Sequence, residues 1–149
     1  MALSIGDKIP DFKGIIDDGK TIVLSDFKGK KIALYFYPKD NTPGCTAESC
    51  NLRDNYSELK SNNYEIIGVS KDSIKSHKKF TEKYDLPFPL ISDEDLSIHK
   101  IFGTWIKKEL YGREYMGTAR MTFIIDEDGV LERVIEKVKT KDHTIQILE

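Results

Sequence analysis

The sequence predicts an α/β fold in which strands and helices alternate along the chain. Apolar runs of strand length at residues 31–37 and 64–70 enclose a helical segment, the pattern of a βαβ unit with a right-handed crossover. Glycine-containing turn sequences at residues 17–20 and 126–129 predict a β-hairpin near each end of the chain. With 149 residues, the chain is long enough to bury its own core, so we expect one domain spanning residues 1–149.

The same signals predict the remaining elements in chain order. We expect an N-terminal hairpin at 13–16 and 21–24, a central strand buried on both faces at 31–37, a helix from 42 to 59, a strand at 64–70, a helix at 73–84, a short strand at 89–91, a helix at 95–102, strands at 118–125 and 130–138, and a short helix after 141. The aromatic-rich segment 104–117 is expected to be irregular.

Charge and cysteine content narrow the function classes. The chain has 23 basic and 25 acidic residues, which offers no basic stripe for a nucleic acid. Its first residues have neither a basic region nor a long apolar region, and no later run approaches the ~20 apolar residues of a membrane span. We therefore expect a cytoplasmic protein that binds neither nucleic acid nor membrane. In a reducing compartment, two nearby cysteines are more often catalytic or metal-binding than a structural crosslink.

Cys45 and Cys50 are the only cysteines of the chain, and both lie in the predicted helix that follows the central strand. Thr42 has the side chain of a helix N-cap, and Pro43 suits the first helical position because its missing N–H costs nothing there. Cys45 then lies in the first turn, where unpaired N–H groups and the positive end of the helix dipole favour a thiolate. We therefore predict that Cys45 is a nucleophile.

Helix geometry separates the two cysteines. Five residues correspond to about 140° around the helix and about 7.5 Å along it, so the Cα atoms lie roughly 8 to 9 Å apart. That separation exceeds the ~7 Å limit for a disulfide without backbone movement. Leu52, Tyr56 and Leu59 share the helix face of Cys45, which therefore points toward the protein body. Bridging Cys45 to Cys50 requires the first turns of the helix to unwind, so we expect Cys50 to act after the first chemical step.

The cysteine segment resembles a known family. Pro38-x-x-x-Thr42-x-x-Cys45 is similar to the active-site signature of the peroxiredoxins. The extension through Glu48 to Cys50 resembles the bacterioferritin-comigratory-protein or PrxQ subgroup, whose resolving cysteine lies five residues after the peroxidatic one. Further landmarks of the resemblance, which covers nearly the whole chain, lie at residues 6–12, 24–30, 91–93, 102–103 and 120–126.

This resemblance implies a fold, an activity and partners. The fold would be thioredoxin-like, with a central mixed β-sheet flanked by helices and an N-terminal β-hairpin extension. The activity would be reduction of hydrogen peroxide and organic hydroperoxides, in which Cys45 is oxidised to a sulfenic acid and resolved by Cys50 as an intramolecular disulfide. Thioredoxin or a similar dithiol reductant would recycle the enzyme, and the subgroup tendency is toward monomers.

Four further residues complete the expected site. The Thr42 hydroxyl can accept from a helix N–H and can also reach the sulfur or the peroxide. The resemblance implies that Pro38 shields the sulfur with apolar surface and that the Arg120 cation stabilises the thiolate and the departing oxygen. Glu48 lies one helical turn from Cys45 and is expected to orient Arg120; otherwise it would be an exposed acid that favours the helix dipole.

Other chemistries fit the sequence less well. His77, His99 and His143 are dispersed and show no ligand spacing with the cysteines, so a zinc site is disfavoured and neither metal nor cofactor is expected. The alternative from another class is a metal-binding or redox-switched binding module that uses the Cys45/Cys50 pair without turnover. Steady-state peroxide consumption with a thiol donor distinguishes the two, since a switch reacts once and stops.

Overall fold

The computed structural model describes residues 3–149, in which strands and helices alternate as expected for an α/β fold. The elements are β1 (Lys13–Ile16), β2 (Thr21–Val23), β3 (Lys31–Phe36), α1 (Pro43–Asp54), α2 (Tyr56–Ser61), β4 (Tyr64–Ser70), α3 (Ile74–Tyr84), β5 (Leu90–Ser92), α4 (Ser97–Phe102), β6 (Trp105–Leu110), β7 (Arg113–Thr118), β8 (Met121–Ile125), β9 (Leu131–Ile135) and α5 (His143–Leu148), with a 3₁₀ turn at Leu24–Phe27. Among the described residues, no helix combines the length and apolarity needed to cross a membrane.

Seven strands form one mixed sheet in the order β2-β1-β5-β4-β3-β8-β9. The central strand β3 pairs in parallel with β4 and antiparallel with β8, and the N-terminal hairpin extends the sheet by an antiparallel pairing of β1 with β5. Residues 32–36 of β3 are all buried, because the sheet is covered on both faces. The α/β prediction, with a doubly buried central strand and an N-terminal hairpin, is confirmed.

The two faces of β3 supply two separate apolar cores. Since successive strand residues point to opposite faces, Ala33 and Tyr35 belong to one core and Leu34 and Phe36 to the other. The first core also contains the buried apolar residues of α1, α2, α3 and α5, and Cys45 is one of its members. The nucleophile predicted from sequence therefore sits at the edge of a helix-covered core.

The predicted helix over residues 42–59 is two helices, interrupted at Asn55. The Asn55 side chain donates to the carbonyl oxygen of Asn51 (2.8 Å), which competes with the backbone hydrogen bond of a continuous helix. The apolar face nevertheless continues across the break, since Leu52 and Leu59 are buried completely. The expectation that this face turns Cys45 toward the protein body is confirmed, because the cysteine is only 1% exposed.

The prediction of an irregular segment at residues 104–117 was wrong, because β6 and β7 form a β-hairpin there. Leu110 pairs with Arg113, which leaves a two-residue turn of Tyr111 and Gly112 with φ angles of 52° and 75°. Such a turn requires positive φ at both positions, and a tyrosine at the first gives no recognisable turn signal. Exposed apolar and charged side chains are mixed along both strands, so the period-two pattern of a half-buried strand is missing as well.

Gly68 of β4 leaves room for the ring of Tyr35. A Cβ atom at Gly68 would lie 2.9 Å from that ring and 2.7 Å from a methyl group of Leu90. The hydroxyl of Tyr35 in turn is hydrogen-bonded to Ser49 of α1 at 2.9 Å. The glycine therefore makes room for the side chain that connects the sheet to the helix carrying Cys45.

We therefore expect Gly68→Ala to lower the free energy of unfolding by about 1–3 kcal/mol, the usual cost of an overpacked core. Urea denaturation measures this effect. Gly117→Ala is the matched control, because it makes the same change in a strand whose nearest contact, at 3.3 Å, is the flexible chain of Lys108. Equal stability of the two variants would show that the Tyr35 pocket adapts to the extra methyl group.

Candidate active site

Cys45 lies in the first turn of α1, directly after the loop that leaves the central strand. Thr42 adopts the extended conformation of an N-cap residue, and Pro43 begins the helix. Thr46 is the first residue whose N–H bonds back into the helix, to the carbonyl of Thr42. The N–H groups of Gly44 and Cys45 therefore have no partner within the helix and favour negative charge on the sulfur.

Arg120 contacts the sulfur from a distant part of the chain. Its Nη2 lies 3.2 Å from Cys45 Sγ, and its Nη1 donates to Glu48 Oε1 at 2.8 Å. Arg120 is in the link between β7 and β8, and not within a strand as expected. The pairing of β8 with β3 places Met121 opposite Phe36, so the preceding Arg120 comes level with the end of β3, close to the start of α1.

Two features keep the Arg120 guanidinium charged and close to Cys45. Burial opposes its charge, but Cys45 and Glu48 outweigh this effect and hold the pKa of Arg120 above its ordinary value. A Cβ atom at Gly44 would lie 3.2 Å from Nη2 of Arg120, so a glycine at this position lets the guanidinium approach the helix backbone. The arginine therefore presents a fixed cation to the sulfur.

Glu48 is completely buried beneath this cation. Burial raises its pKa to about 7, although the charge of Arg120 and its hydrogen bond act in the opposite direction. Oε1 accepts from Arg120, whereas Oε2 has no hydrogen-bond partner within residues 3–149 and lies 3.5 Å from Nε2 of His143. Glu48 is thus placed against Arg120, in an environment unlike that of an exposed acid at a helix start.

The Thr42 hydroxyl does not make the helix-cap hydrogen bond expected from the sequence. In the described part of the chain, its side chain accepts from no helix N–H; instead Oγ1 donates to the carbonyl oxygen of Lys39 at 2.8 Å. The cap hydrogen bond predicted from sequence is therefore wrong, although the residue does occupy the N-cap position. With its hydrogen committed to Lys39, the oxygen can act toward a further group only as an acceptor.

Pro38 is half-buried in the same loop, which is held by a polar network that the sequence analysis missed. Asp40 accepts from the Tyr37 hydroxyl (2.6 Å), from the Ser76 hydroxyl (2.8 Å) and from Nδ1 of His77 (2.7 Å). The other ring nitrogen of His77 faces the carbonyl of Ile91 at 3.0 Å. These contacts tie the loop to α3 and to β5. Asp40 and His77 are 37 positions apart, and neither lies in a motif that would have revealed the contact.

One group of possible metal ligands occurs among residues 3–149. Oxygen and nitrogen atoms of Asp40, Asp72 and His77 lie within 4.8 Å of one another. Each of the three side chains already has protein partners: Asp72 accepts from the Ser70 hydroxyl at 2.7 Å, and both nitrogens of His77 face acceptors. Because these polar groups satisfy one another, we interpret the cluster as a structural support of the loop.

Cys50 is half-buried five residues further along α1, and both cysteines are free thiols. Burial raises the pKa of Cys50, partly offset by nearby Arg53. The helix is continuous from Pro43 to Asp54, so the geometry that separates the two cysteines on a regular helix applies. The structure brings together Cys45, Arg120 and Glu48, while Cys50 stays apart on the same helix.

The end of α1 is fastened to the C-terminal helix α5 through Asn51. The Asn51 side chain donates to the carbonyl of Lys141 and accepts from the N–H of Thr144, both at 2.8 Å. The Thr144 hydroxyl donates to the backbone carbonyl of Asn51 at 3.3 Å. We refer to these three hydrogen bonds as the Asn51 clamp. It begins immediately after Cys50 and holds the last third of α1, which lies beyond the cysteine pair.

Known proteins resemble this chain over nearly its whole length. The model of the AhpC/TSA family matches residues 5–134. The peroxiredoxin Bcp of Bacillus subtilis is 48% identical over 149 residues, covering 100% of this chain and 95% of the relative. The putative peroxiredoxin bcp of Coxiella burnetii is 45% identical over 148 residues, covering 99% of this chain and 98% of the relative.

Solved structures show the same fold. A cysteine-to-serine mutant of PrxQ from Xylella fastidiosa superposes with a TM-score of 0.93 at 32% identity, covering 99% of this chain and 94% of the other. The bacterioferritin comigratory protein of Xanthomonas campestris, studied for its alkyl peroxide reduction activity, superposes with a TM-score of 0.89 at 33% identity, covering 98% and 93%. The expected thioredoxin-like fold is confirmed by these neighbours. The chain therefore belongs to the AhpC/TSA family and, within it, to the Bcp/PrxQ peroxiredoxins, which are peroxidases.

Proposed function

We propose that this peroxidase uses Cys45 as its peroxidatic cysteine and Cys50 as its resolving cysteine, with hydrogen peroxide and organic hydroperoxides as substrates. The observation that carries the proposal is the Arg120 guanidinium, which contacts Cys45 Sγ with one nitrogen and Glu48 with another. A cation held in this way stabilises a thiolate, and the thiolate is the form of cysteine that attacks a peroxide.

In the first step, the Cys45 thiolate attacks one peroxide oxygen. The S–O bond forms as the O–O bond breaks, and both electrons of the O–O bond go to the departing oxygen. That oxygen takes up a proton and leaves as water or an alcohol, while Cys45 becomes a sulfenic acid. Negative charge moves from the sulfur to the leaving oxygen, so Arg120 acts on the charge that develops in the transition state.

Thr42 and Pro38 support this step from the loop before α1. The Thr42 oxygen, whose hydrogen is held by Lys39, accepts the O–H of the peroxide and orients it toward the sulfur. Pro38 has no N–H and limits the access of water to the thiolate. Asp40 holds the loop against α3, which keeps both groups in place before the substrate arrives.

In the second step, the Cys50 thiol attacks the sulfenic sulfur. The S–S bond forms, the S–O bond breaks, and the sulfenic oxygen leaves as water with the proton of the Cys50 thiol. This step requires unwinding of the first turns of α1. Unwinding also hydrates Cys50, which reverses the burial that raises its pKa in the folded helix.

A thioredoxin-type dithiol then reduces the disulfide and returns both cysteines to the thiol form. The cytoplasm supplies such donors and keeps cysteines reduced. Both cysteines lie on one helix of one chain, so the cycle needs no second subunit, which supports a monomeric enzyme built as one domain over residues 1–149.

The first prediction from this mechanism concerns the nucleophile. We expect Cys45→Ser to abolish peroxide turnover and to leave the fold intact, because the change is small and serine has no thiolate. Peroxide consumption coupled to thioredoxin, thioredoxin reductase and NADPH measures this loss, and circular dichroism checks the fold. The same assay tests the redox-switch alternative, since a switch would consume one equivalent in the wild-type protein and stop. Turnover by the serine variant would contradict the assignment of Cys45.

The second prediction concerns the cation. Arg120→Met should slow sulfenic acid formation by a factor on the order of 10² to 10³, the scale of losing one well-placed electrostatic group. Stopped-flow fluorescence at a single turnover measures this rate. Arg113→Met is the matched control, since it makes the same substitution at an exposed position of β7 and should leave the rate unchanged. Equal rates in the two variants would remove Arg120 from the mechanism.

The third prediction concerns resolution. Cys50→Ser should still destroy one equivalent of peroxide, then accumulate sulfenic and later sulfinic Cys45, because no disulfide forms. Mass spectrometry detects both products. In the wild-type protein, amides between Gly44 and Arg53 should exchange hydrogen faster in the disulfide form than in the reduced form, because unwinding breaks helical hydrogen bonds. Equal protection in both forms would contradict the unwinding step.

A further inference from the structure

Three lysines form a row along one face of α3. Lys75, Lys79 and Lys83 follow one another at intervals of four residues, which places them on the same side of the helix, and all three are exposed. Like charges at this spacing repel each other, and Lys75 also lies in the first turn, where the helix dipole disfavours a cation. Within residues 3–149, none of the three forms an ion pair. These residues, called the lysine row below, therefore lower the stability of α3 and keep their charge unneutralised.

The lysine row lines a surface hollow of about 420 Å³. Asp40 and Asn41, from the loop that leads to Cys45, line the same hollow. Asp40 is buried, and its carboxylate already accepts three side-chain hydrogen bonds. On α3, Glu82 lies four residues from Lys78, a favourable spacing for opposite charges, and neither of these two side chains lines the hollow. The hollow is therefore a positively charged surface beside the active-site loop.

The C-terminal end of α3 contacts both ends of the segment that unwinds in the proposed mechanism. Before this segment, Nζ of Lys83 and the hydroxyl of Tyr84 donate to Oδ1 of Asn41 at 3.2 and 3.1 Å. Beyond it, Nη1 of Arg53 donates to the carbonyl oxygen of Tyr84 at 2.7 Å. Unwinding from Pro43 through Cys50 leaves these contacts in place, because all of their residues lie outside the unwound part.

Chain length then limits how far the disulfide can lie from α3. Cys45 is four residues from Asn41, and Cys50 is three residues from Arg53, which at full extension correspond to about 14 Å and about 11 Å. A reductant has to bring a thiolate into contact with one of the two sulfurs. A folded domain of about 100 residues has a radius of gyration of about 13 Å, so the surface around its thiolate also reaches the lysine row.

We propose that the lysine row is the docking surface for the protein that reduces the Cys45–Cys50 disulfide, and that this dithiol protein carries acidic side chains beside its reactive thiol. The proposal rests on the proposed function, since it takes this disulfide as the oxidised form of the enzyme. Attraction between the two charged surfaces raises the rate of encounter and orients the reductant with its thiol toward the disulfide.

The chemistry on this surface is thiol–disulfide exchange. A thiolate of the reductant attacks one sulfur of the disulfide, an S–S bond to the reductant forms, and the other cysteine leaves as a thiolate. The second thiol of the reductant then attacks the mixed disulfide and releases the first cysteine. The reductant loses two electrons and becomes a disulfide, while the enzyme gains them and regains two thiols. Hydrogen peroxide and alkyl hydroperoxides are small and uncharged, so oxidation of Cys45 does not need the lysine row.

Stopped-flow reduction of the isolated disulfide form by a reduced thioredoxin with an acidic surface tests the proposal. The variant is Lys75→Gln/Lys79→Gln, which removes two charges of the row and keeps the contact of Lys83 with Asn41. At an ionic strength of about 0.01 M, its second-order rate constant should fall roughly tenfold below that of the wild-type protein. At about 1 M the two rate constants should agree within about twofold, because salt screens the charges.

The matched control is Lys8→Gln/Lys28→Gln, which removes two exposed lysines beside Ile32, at the start of β3 and away from the active-site loop. This control should keep the wild-type rate constant and its salt dependence. With dithiothreitol, a small uncharged dithiol, all three proteins should be reduced at the same rate. Their rates of Cys45 oxidation by hydrogen peroxide should also be equal.

Two results would overturn the docking surface. Equal rates and equal salt dependence in the row variant and the control would mean that the row serves another occupant, such as a small anion. Slower reduction of the row variant by dithiothreitol would mean that the lysines act on the disulfide itself. Mass spectrometry of the peroxide-treated wild-type protein, before any reductant is added, tests the proposed function separately. Absence of the Cys45–Cys50 disulfide there would overturn that function, whereas a normal disulfide with equal reduction rates would overturn the docking surface alone.

Discussion

The bond from Arg120 to Cys45 Sγ is the interaction on which the site depends. It joins two parts of the chain 75 positions apart, and it exists because β8 lies beside the central strand that leads into α1. The same guanidinium anchors Glu48, which lies one turn along the helix. The position of the Arg120 cation relative to the Cys45 sulfur therefore depends on the register of the sheet, on where α1 begins and on the buried Glu48.

The proposed mechanism requires the helix that carries Cys45 to be well held in one state and released in another. Its buried contacts include Glu48 with Arg120 and Ser49 with Tyr35, and both are lost if the first turns unwind. Because the pKa of Glu48 is raised from 4.5 to about 7 in the folded helix, the folded form binds a proton that the unwound form releases between these pH values. The stability that this proton gives the folded helix is full below that interval and is lost as the pH rises through it.

Much of this arrangement was predictable from the sequence. The apolar run at 31–37 and the Thr42–Pro43 start placed Cys45 at a helix N-terminus, and helical spacing turned it inward. Arg120 could be joined to the site only through family resemblance, because no local pattern records a strand pairing. The support from Asp40, His77 and His143 was missed for the same reason: each is an isolated polar residue whose partner is distant in sequence. The Tyr111-Gly112 turn was missed because its backbone angles are unusual for a tyrosine.

In the proposed cycle, the Asn51 clamp limits how much of α1 can unwind. Unwinding from Pro43 through Cys50 leaves its three hydrogen bonds intact, whereas unwinding one residue further begins to break them. At about 0.5–1.5 kcal/mol for each hydrogen bond, breaking all three costs roughly 1.5–4.5 kcal/mol. If the two cysteines react as proposed, the clamp stops the unwinding after eight residues. The rest of α1 and the helix docked on it then keep the shape to which the segment returns after reduction.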